Sequence, residues 1–247
     1  MTNIANVAKE FIPESALAIV AHPDDLEFGA AGTLAKWAKY GARVAYVLVT
    51  SGNGGTHDPQ YNRETIAVLR EEEQRAAAAV CGVQDVEFLH YNDGEVVPTL
   101  DLRKDLVRMI RKYKPQVLIA MDPTRWYSGS GYINHPDHRA VGAATLEAVF
   151  PVAEMPLMYP ELGPAHKVNE VWIQWVDAPD TWVDISETLG QKIEALRQHK
   201  SQVGEDVVGM VSKWAYEEGK GLCPAESFKV MFLKPREQPK ENTTLTS

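Results

Sequence analysis

Residues 16–25 read ALAIVAHPDD, and this stretch decides how the rest of the chain is read. Residues 16–21 are apolar without a break and are bounded by Pro13 upstream and by His22-Pro23 downstream. A run of that length predicts a short strand buried on both faces. An apolar strand that does not alternate belongs in a parallel sheet covered by helices.

The same grammar repeats outward. A helix is expected over 28–40, with Gly41 placed to cap its C-terminus. A valine-rich strand over 43–50 leads into a glycine-rich polar loop over 51–62 and a helix over 63–81 closed by Gly82. A strand over 86–90, a helix over 100–113 stopped by Pro115, and a strand over 116–121 come next. A loop over 122–134 and a helix over 135–150 complete the first part. Strands and helices alternating at this spacing predict a Rossmann-like, doubly wound α/β fold, its sheet mostly parallel with helices on both faces.

The last hundred residues are less regular. Strands are expected over 171–176 and 181–185, a helix over 186–202 with Ser186 as its N-cap, and a strand over 227–233. No linker divides the chain, so a single domain over 1–247 is expected. It comprises a core over 15–150, an extension over 151–234 and a polar tail over 235–247 expected to fray.

Composition limits the function classes. The 247 residues carry 25 Lys plus Arg against 34 Asp plus Glu, a formal charge of −9. No long basic run offsets this, which argues against nucleic-acid binding. No apolar stretch approaches the ~20 residues of a membrane helix, and no signal peptide is expected. The two cysteines, Cys81 and Cys223, form no motif. A disulfide scaffold and a cysteine-based zinc site are therefore not expected, and a reducing cytoplasm is the simpler location.

His-Pro-Asp occurs twice, at residues 22–24 and 135–137. Composition alone predicts roughly 0.02 copies. One copy would read as a turn entering a helix, with proline at the first helical position. Two copies near strand ends, each with a metal-capable residue at its fourth position, read as a site. In the first turn of a helix, residues i and i+3 share a face, so His22 and Asp25 are expected to converge, with His138 as a third ligand. Two imidazoles and one carboxylate suit Zn²⁺ and leave a position open. Such a metal lowers the pKa of water to about 7 and polarises a carbonyl. Asp24, beside the ligands, is the candidate general base. His135 is the candidate donor to the oxyanion or to the leaving nitrogen.

AHPDD at the first strand end, TSGNGG after the second strand, REEE in the following helix, YNDG after the third strand and NHPDH after the fourth resemble the PIG-L/LmbE-like zinc N-deacetylases. Within that family the diacetylchitobiose deacetylases look closest. The likeness covers roughly residues 15–150 and continues more weakly through 165–168 and 199–202. It implies the same fold, Zn²⁺ held by His22, Asp25 and His138, Asp24 as base, and His135 stabilising the tetrahedral intermediate. It also implies that Arg70 grips the substrate and that Asp93 contacts a sugar hydroxyl. The family's first box often has Glu directly after the second Asp; here Leu26 intervenes before Glu27, which leaves the ligand spacing intact. The resemblance further implies an amino-sugar substrate and a homo-oligomer.

The expected activity is removal of the acetyl group from an N-acetylglucosamine-type mono- or disaccharide. The negative surface favours a neutral soluble sugar over a phosphorylated or lipid-linked one. Deacetylation of a glucosaminyl conjugate in thiol-cofactor or natural-product biosynthesis is the alternative enzyme reading, and a non-catalytic metal- or sugar-binding module is the other. The loop over 51–62 lacks the Lys-Ser/Thr of a phosphate cradle and reads as a lid or as an inert loop. His57 and Asp58 are expected at the surface, and His199 in packing or capping. Trp126, Tyr127 and Tyr132 are candidates to stack on a sugar or to pack a lid. Trp172, Trp175 and Trp182 are expected in the core.

Overall fold

The computed structural model describes residues 11–236. Most of the 235–247 tail therefore lies outside the described residues. Among the described residues, nine strands and seven α-helices follow one another, beginning with β1 (Ser15–Val20), α1 (Asp25–Phe28), α2 (Ala31–Lys39) and β2 (Arg43–Thr50). Next come α3 (Arg63–Val80), β3 (Asp85–Tyr91), α4 (Leu100–Tyr113) and β4 (Val117–Met121). A small hairpin, β5 (Tyr127–Ser128) and β6 (Tyr132–Ile133), precedes α5 (Pro136–Glu147). The chain continues with β7 (Glu170–Gln174), β8 (Thr181–Asp184), α6 (Leu189–Leu196), α7 (Glu205–Glu218) and β9 (Ala225–Phe232).

Seven strands form one sheet in the order β3-β2-β1-β4-β7-β9-β8. β1 pairs in parallel with β2 on one side and with β4 on the other. The winding therefore reverses between β1 and β4, and their carboxyl ends flank the crevice where ligands of such sheets bind. The two His-Pro-Asp boxes follow these two strands. The mostly parallel α/β sheet expected from the sequence is present, and only β9 runs against its neighbours, β7 and β8.

Burial explains why these segments pair. Every residue of β1 and of β4 is buried. Each fully buried Leu, Ile or Val side chain contributes roughly 1.5–3 kcal/mol relative to exposure. Trp172 sits in the core as expected, its ring centroid 5.1 Å from Trp37 and 5.2 Å from Phe228. Helix ends follow local chemistry. At the end of α2, Gly41 N–H bonds Ala38 O and Ala42 N–H bonds Trp37 O, a Schellman closure with Gly41 at φ +95°. At the start of α3, the Asn62 side chain accepts from Glu64 N and Thr65 N while Thr65 Oγ1 accepts from Asn62 N.

The structure departs from the sequence reading in several places. The helix expected over 28–40 is broken at Gly29. Lys192 Nζ donates to Phe28 O and Gly29 O, and Glu226 accepts from Gly32 N and Thr33 N at the start of α2. Lys192 and Glu226 pair at 2.6 Å, both buried, so the free polar ends of two short helices are satisfied by a charge pair from distant elements. Ser186 is not an N-cap. It bonds the Asp184 carboxylate, and α6 begins after Thr188, whose hydroxyl goes to Gly32 O at 2.7 Å. The last α5 turn passes into a wider turn over Ala148–Ala153 with Phe150 outside helical geometry. The β5–β6 hairpin stands where a loop was expected, and α7 occupies a stretch to which the sequence reading assigned no element. Among the described residues, no helix is long and apolar enough to cross a membrane.

Candidate active site

The first box is a tight turn, not a helical one. Asp24 has φ +87°, a left-handed conformation unusual for a residue with a side chain. Asp25 opens α1, and its Oδ2 accepts from Ala21 N at 3.1 Å and His22 N at 2.8 Å. His22 and Asp25 thus converge as expected, but through this turn. The second box does enter a helix. His135 is the N-cap of α5, its Nδ1 accepting from Asp137 N at 3.2 Å, and Pro136 takes the first helical position. His138, one turn in, reaches across to Asp25, with Nε2 3.1 Å from Oδ1.

His22, Asp25 and His138 are buried, and their donor atoms lie within 4.8 Å of one another. Their partners orient them as metal ligands are oriented. Asn134 Oδ1 lies 3.0 Å from His138 Nδ1, and the Asn134 amide donates to Arg125 O, which fixes its oxygen toward the ring. The His138 proton is therefore held on Nδ1, and Nε2 faces Asp25. His22 Nε2 lies 3.2 Å from Asp137 Oδ2 and 3.1 Å from Asp93 Oδ1, while Nδ1 faces Asp25 at 3.6 Å. Burial alone would raise the Asp25 carboxyl, but His138 and His22 hold it far below the usual carboxylate range. The donor set fits a divalent metal: one firmly ionised carboxylate and two imidazoles with oriented lone pairs.

Asp24 faces the cavity beside this set. Burial pushes its carboxyl up to about 6, against the lowering pull of Arg70, close to where a general base works best. Arg70, in α3, is buried and holds the turn, donating to Pro23 O at 2.8 Å, Gly52 O at 3.0 Å and Asp24 Oδ2 at 3.3 Å. Gly52, at φ +63°, is required there, because a Cβ would meet the Arg70 guanidinium at 2.2 Å. Asp93 accepts from Gly54 N at 3.1 Å. Burial would raise its carboxyl too, but the hydrogen bond from His22 brings it to about 2. His135 is half-buried, and burial followed by the neighbouring His22 lowers its pKa.

All seven residues singled out from the sequence line one cavity of about 840 Å³, a volume typical of small-ligand sites. Phe28, Gly55, Arg125, Tyr132, Trp175 and Trp214 complete much of its wall. Trp175 was expected in the core; its backbone turns at φ +60° after β7 and brings its ring centroid within 5.3 Å of that of His138. Trp214 comes from α7. His57 and Asp58 are exposed and do not line the cavity.

Sequence reasoning missed the support around the site. Asp137, fully buried, accepts from Gly94 N at 2.7 Å and Val96 N at 3.3 Å besides facing His22. Gln74 Oε1 accepts the Asp24 N–H at 3.0 Å, and its amide donates to Glu27 Oε1 at 3.1 Å. Glu27 Oε2 lies 3.1 Å from Nε2 of the fully buried His199. A carboxylate only accepts, so Glu27 forces the NH₂ end of Gln74 toward itself and the oxygen toward Asp24. The signals were present. Asp137 is the third residue of the second box, Asn134 precedes it, and Gln74 lies one turn after Arg70 on the same helix face.

The family described as "PIG-L: GlcNAc-PI de-N-acetylase" matches residues 17–149. The diacetylchitobiose deacetylase of Thermococcus kodakarensis is 35% identical over 195 residues, covering 77% of this chain and 71% of that protein. A probable N-acetyl-α-D-glucosaminyl L-malate deacetylase of Bacillus anthracis is 29% identical over 219 residues, covering 82% and 87%. The N,N′-diacetylchitobiose deacetylase of Pyrococcus horikoshii, solved with an inhibitor, superposes with a TM-score of 0.81 at 29% identity, over 93% of this chain and 87% of that one. With both boxes at the sheet's reversal point and more than half the sequence matched, the chain belongs to the PIG-L family of de-N-acetylases.

Proposed function

We propose that this protein is a zinc-dependent hydrolase that removes the acetyl group from an N-acetylglucosamine-type mono- or disaccharide. One observation carries the reading. A buried set of two imidazoles and one carboxylate stands beside Asp24, a cavity-facing carboxylate outside that set. A purely binding site has no use for such a base.

His22, Asp25 and His138 would hold the metal, which when bound would polarise the acetyl carbonyl and acidify water. Asp24 takes the proton of the attacking water, with Arg70 and Gln74 keeping its turn in place. Because His135 Nδ1 already accepts the Asp137 N–H, the neutral ring carries its proton on Nε2, where it donates a hydrogen bond to the oxyanion, and the Asp24 carboxyl hands the proton taken from water on to the leaving nitrogen. Asp93 and Arg70 are the proposed sugar contacts on the same wall. The aromatic rings of Trp175, Trp214 and Tyr132 suit the faces of a pyranose.

Two supporting observations extend the reading. Both cysteines are free, in keeping with a cytoplasmic protein. Ile133 and Leu157 are 86% and 92% exposed, which supports burial against further copies of the chain.

The test is amine release from N-acetylglucosamine and N,N′-diacetylchitobiose, before and after chelation and after zinc is restored. Release that is lost with chelator and recovered with zinc is expected. No release from either sugar by zinc-loaded protein, or release indifferent to chelation, would overturn the reading.

A further inference from the structure

A second cavity, of about 240 Å³, adjoins the first and has no part in the proposed reaction. Phe28, Arg125, Trp175 and Trp214 border both. It is lined by Gln174, the last residue of β7. That side chain is 1% exposed, and among the described residues neither polar end of its amide has a hydrogen-bond partner. A buried amide left without partners is costly, and a ligand that pairs with it removes the cost. Gly29 makes room for the amide, because a Cβ there would meet Gln174 Oε1 at 2.2 Å.

The charges around this amide are already matched. Lys192 Nζ donates to Gly29 O at 2.7 Å, Phe28 O at 3.3 Å and Glu226 Oε1 at 2.6 Å, which uses all its protons. The Glu226 carboxylate also takes the Gly32 and Thr33 N–H groups. Arg125 donates to Trp175 O at 2.9 Å and to Ser128 Oγ, and its Nε lies 3.1 Å from Asp177 Oδ1. Glu218 accepts Trp182 Nε1–H at 3.1 Å and adds a negative group to the wall. Both cations of the lining are therefore engaged, and the open donor and acceptor belong to one neutral amide. Such an amide pairs with neighbouring hydroxyls or with another amide. Trp175 and Trp214 add aromatic surface beside it.

Sheet order gives the direction. Asp93, the proposed hydroxyl contact, follows β3 at one edge of the sheet. The metal set follows β1 and β4, and Gln174 ends β7 on the far side of β4. In an N-acetylglucosamine-type sugar, the carbon bearing the acetamido group lies between the anomeric carbon and a carbon bearing a hydroxyl. With the acetamido group at the metal set and that hydroxyl toward Asp93, the anomeric carbon faces β7 and the second cavity.

We propose that the second cavity receives the neutral sugar attached to that anomeric carbon, and that Gln174 is the residue that selects it. The preferred substrate is then a disaccharide, its second ring seated against Gln174, Trp175 and Trp214. The direction of the sugar rests on the deacetylase reading; the cavity and its unpartnered amide do not.

The test compares N-acetylglucosamine with N,N′-diacetylchitobiose, by turnover in zinc-loaded protein and by calorimetry in chelator-treated protein. The disaccharide is expected to show a KM and a Kd about 10-fold or more below those of the monosaccharide. Gln174→Leu should erase most of that advantage while leaving kcat and the monosaccharide values within about twofold, the pattern of lost uniform binding. Val176→Trp, which fills the cavity from the chain after β7, should do the same with the amide intact. Replacing an unpartnered amide should not lower the denaturant midpoint of Gln174→Leu, as removing a structural hydrogen bond would. A disaccharide with glucuronate as its second ring should bind no better than N-acetylglucosamine; if it binds as tightly as the neutral one, the neutral class is wrong. Equal Kd values for the two sugars in the wild type, or an undiminished disaccharide preference in both variants, would overturn the proposal and leave the deacetylase reading standing. Amine release from neither sugar, with the Kd difference present and lost in Gln174→Leu, would sink the deacetylase reading while the second-sugar site stands.

Discussion

The two His-Pro-Asp boxes carry the same three residues and do different work. In the first, His22 belongs to the ligand set and Asp24 faces the cavity. In the second, His135 faces the cavity and Asp137 is fully buried, where it holds His22 and two backbone N–H groups. Only the fourth position behaves alike, with Asp25 and His138 meeting at 3.1 Å. The difference is one of backbone. A left-handed Asp24 turns its side chain out into the crevice, whereas the regular helix start at Pro136 turns the equivalent Asp137 inward. A motif therefore supplies donors, and the turn that presents it assigns their roles.

Substitutions at matched positions break or sharpen this comparison. The largest contrast is at the histidines. His22→Ala and His138→Ala should lose bound metal and fall to background turnover, whereas His135→Ala should keep its metal and lose roughly 10²–10⁴-fold in kcat. Metal content and kcat measured together check this; equal metal loss in His22→Ala and His135→Ala would erase the contrast. Next come the aspartates. Asp24→Asn should retain metal and lose about 10²-fold or more in kcat, with its fold kept because asparagine tolerates a left-handed backbone. Asp137→Asn should instead weaken metal binding about 10–100-fold, as loss of a ligand's hydrogen-bond partner does.

Smaller effects probe the support of the strained turn. Gln74→Leu leaves the buried Asp24 N–H and Glu27 without their partner and should lower unfolding stability by about 1–3 kcal/mol in denaturant titration. Arg75→Ala, on the exposed side of the same helix, should stay within about 0.5 kcal/mol. The Glu27–His199 contact adds a pH signature. Burial opposes a charge on His199, but Glu27 outweighs it, so the folded-state pKa is raised. The stabilisation is complete below the unfolded value of about 6.5 and is lost as pH rises through the folded value. The stability deficit of Glu27→Gln should therefore be larger at pH 6 than at pH 9; a deficit that grows with pH would contradict the pairing.

Some of this could be read in advance because it is written locally. Uninterrupted apolar runs gave the buried strands, Gly41 and Gly82 gave helix ends, and the repeated box gave the ligands. α7 was missed because its buried residues, Val208, Val211 and Ala215, keep helical spacing but are masked by exposed Met210, Trp214 and Tyr216. The break at Gly29 was invisible because its cause, Lys192 with Glu226, lies far along the chain. Trp175 looked like core because a strand of apolar residues does not announce that its last residue leaves the sheet.

The sequence by itself determined the mostly parallel sheet and the donor types placed near its strand ends. Those depend on burial and on spacing, which are properties of short windows. The tertiary structure alone decided which aspartate faces the cavity, which one supports a ligand, and which nitrogen each histidine presents. Those choices are set by hydrogen bonds from residues such as Gln74, Asn134 and Gly94, and such partners become neighbours only when the chain has folded.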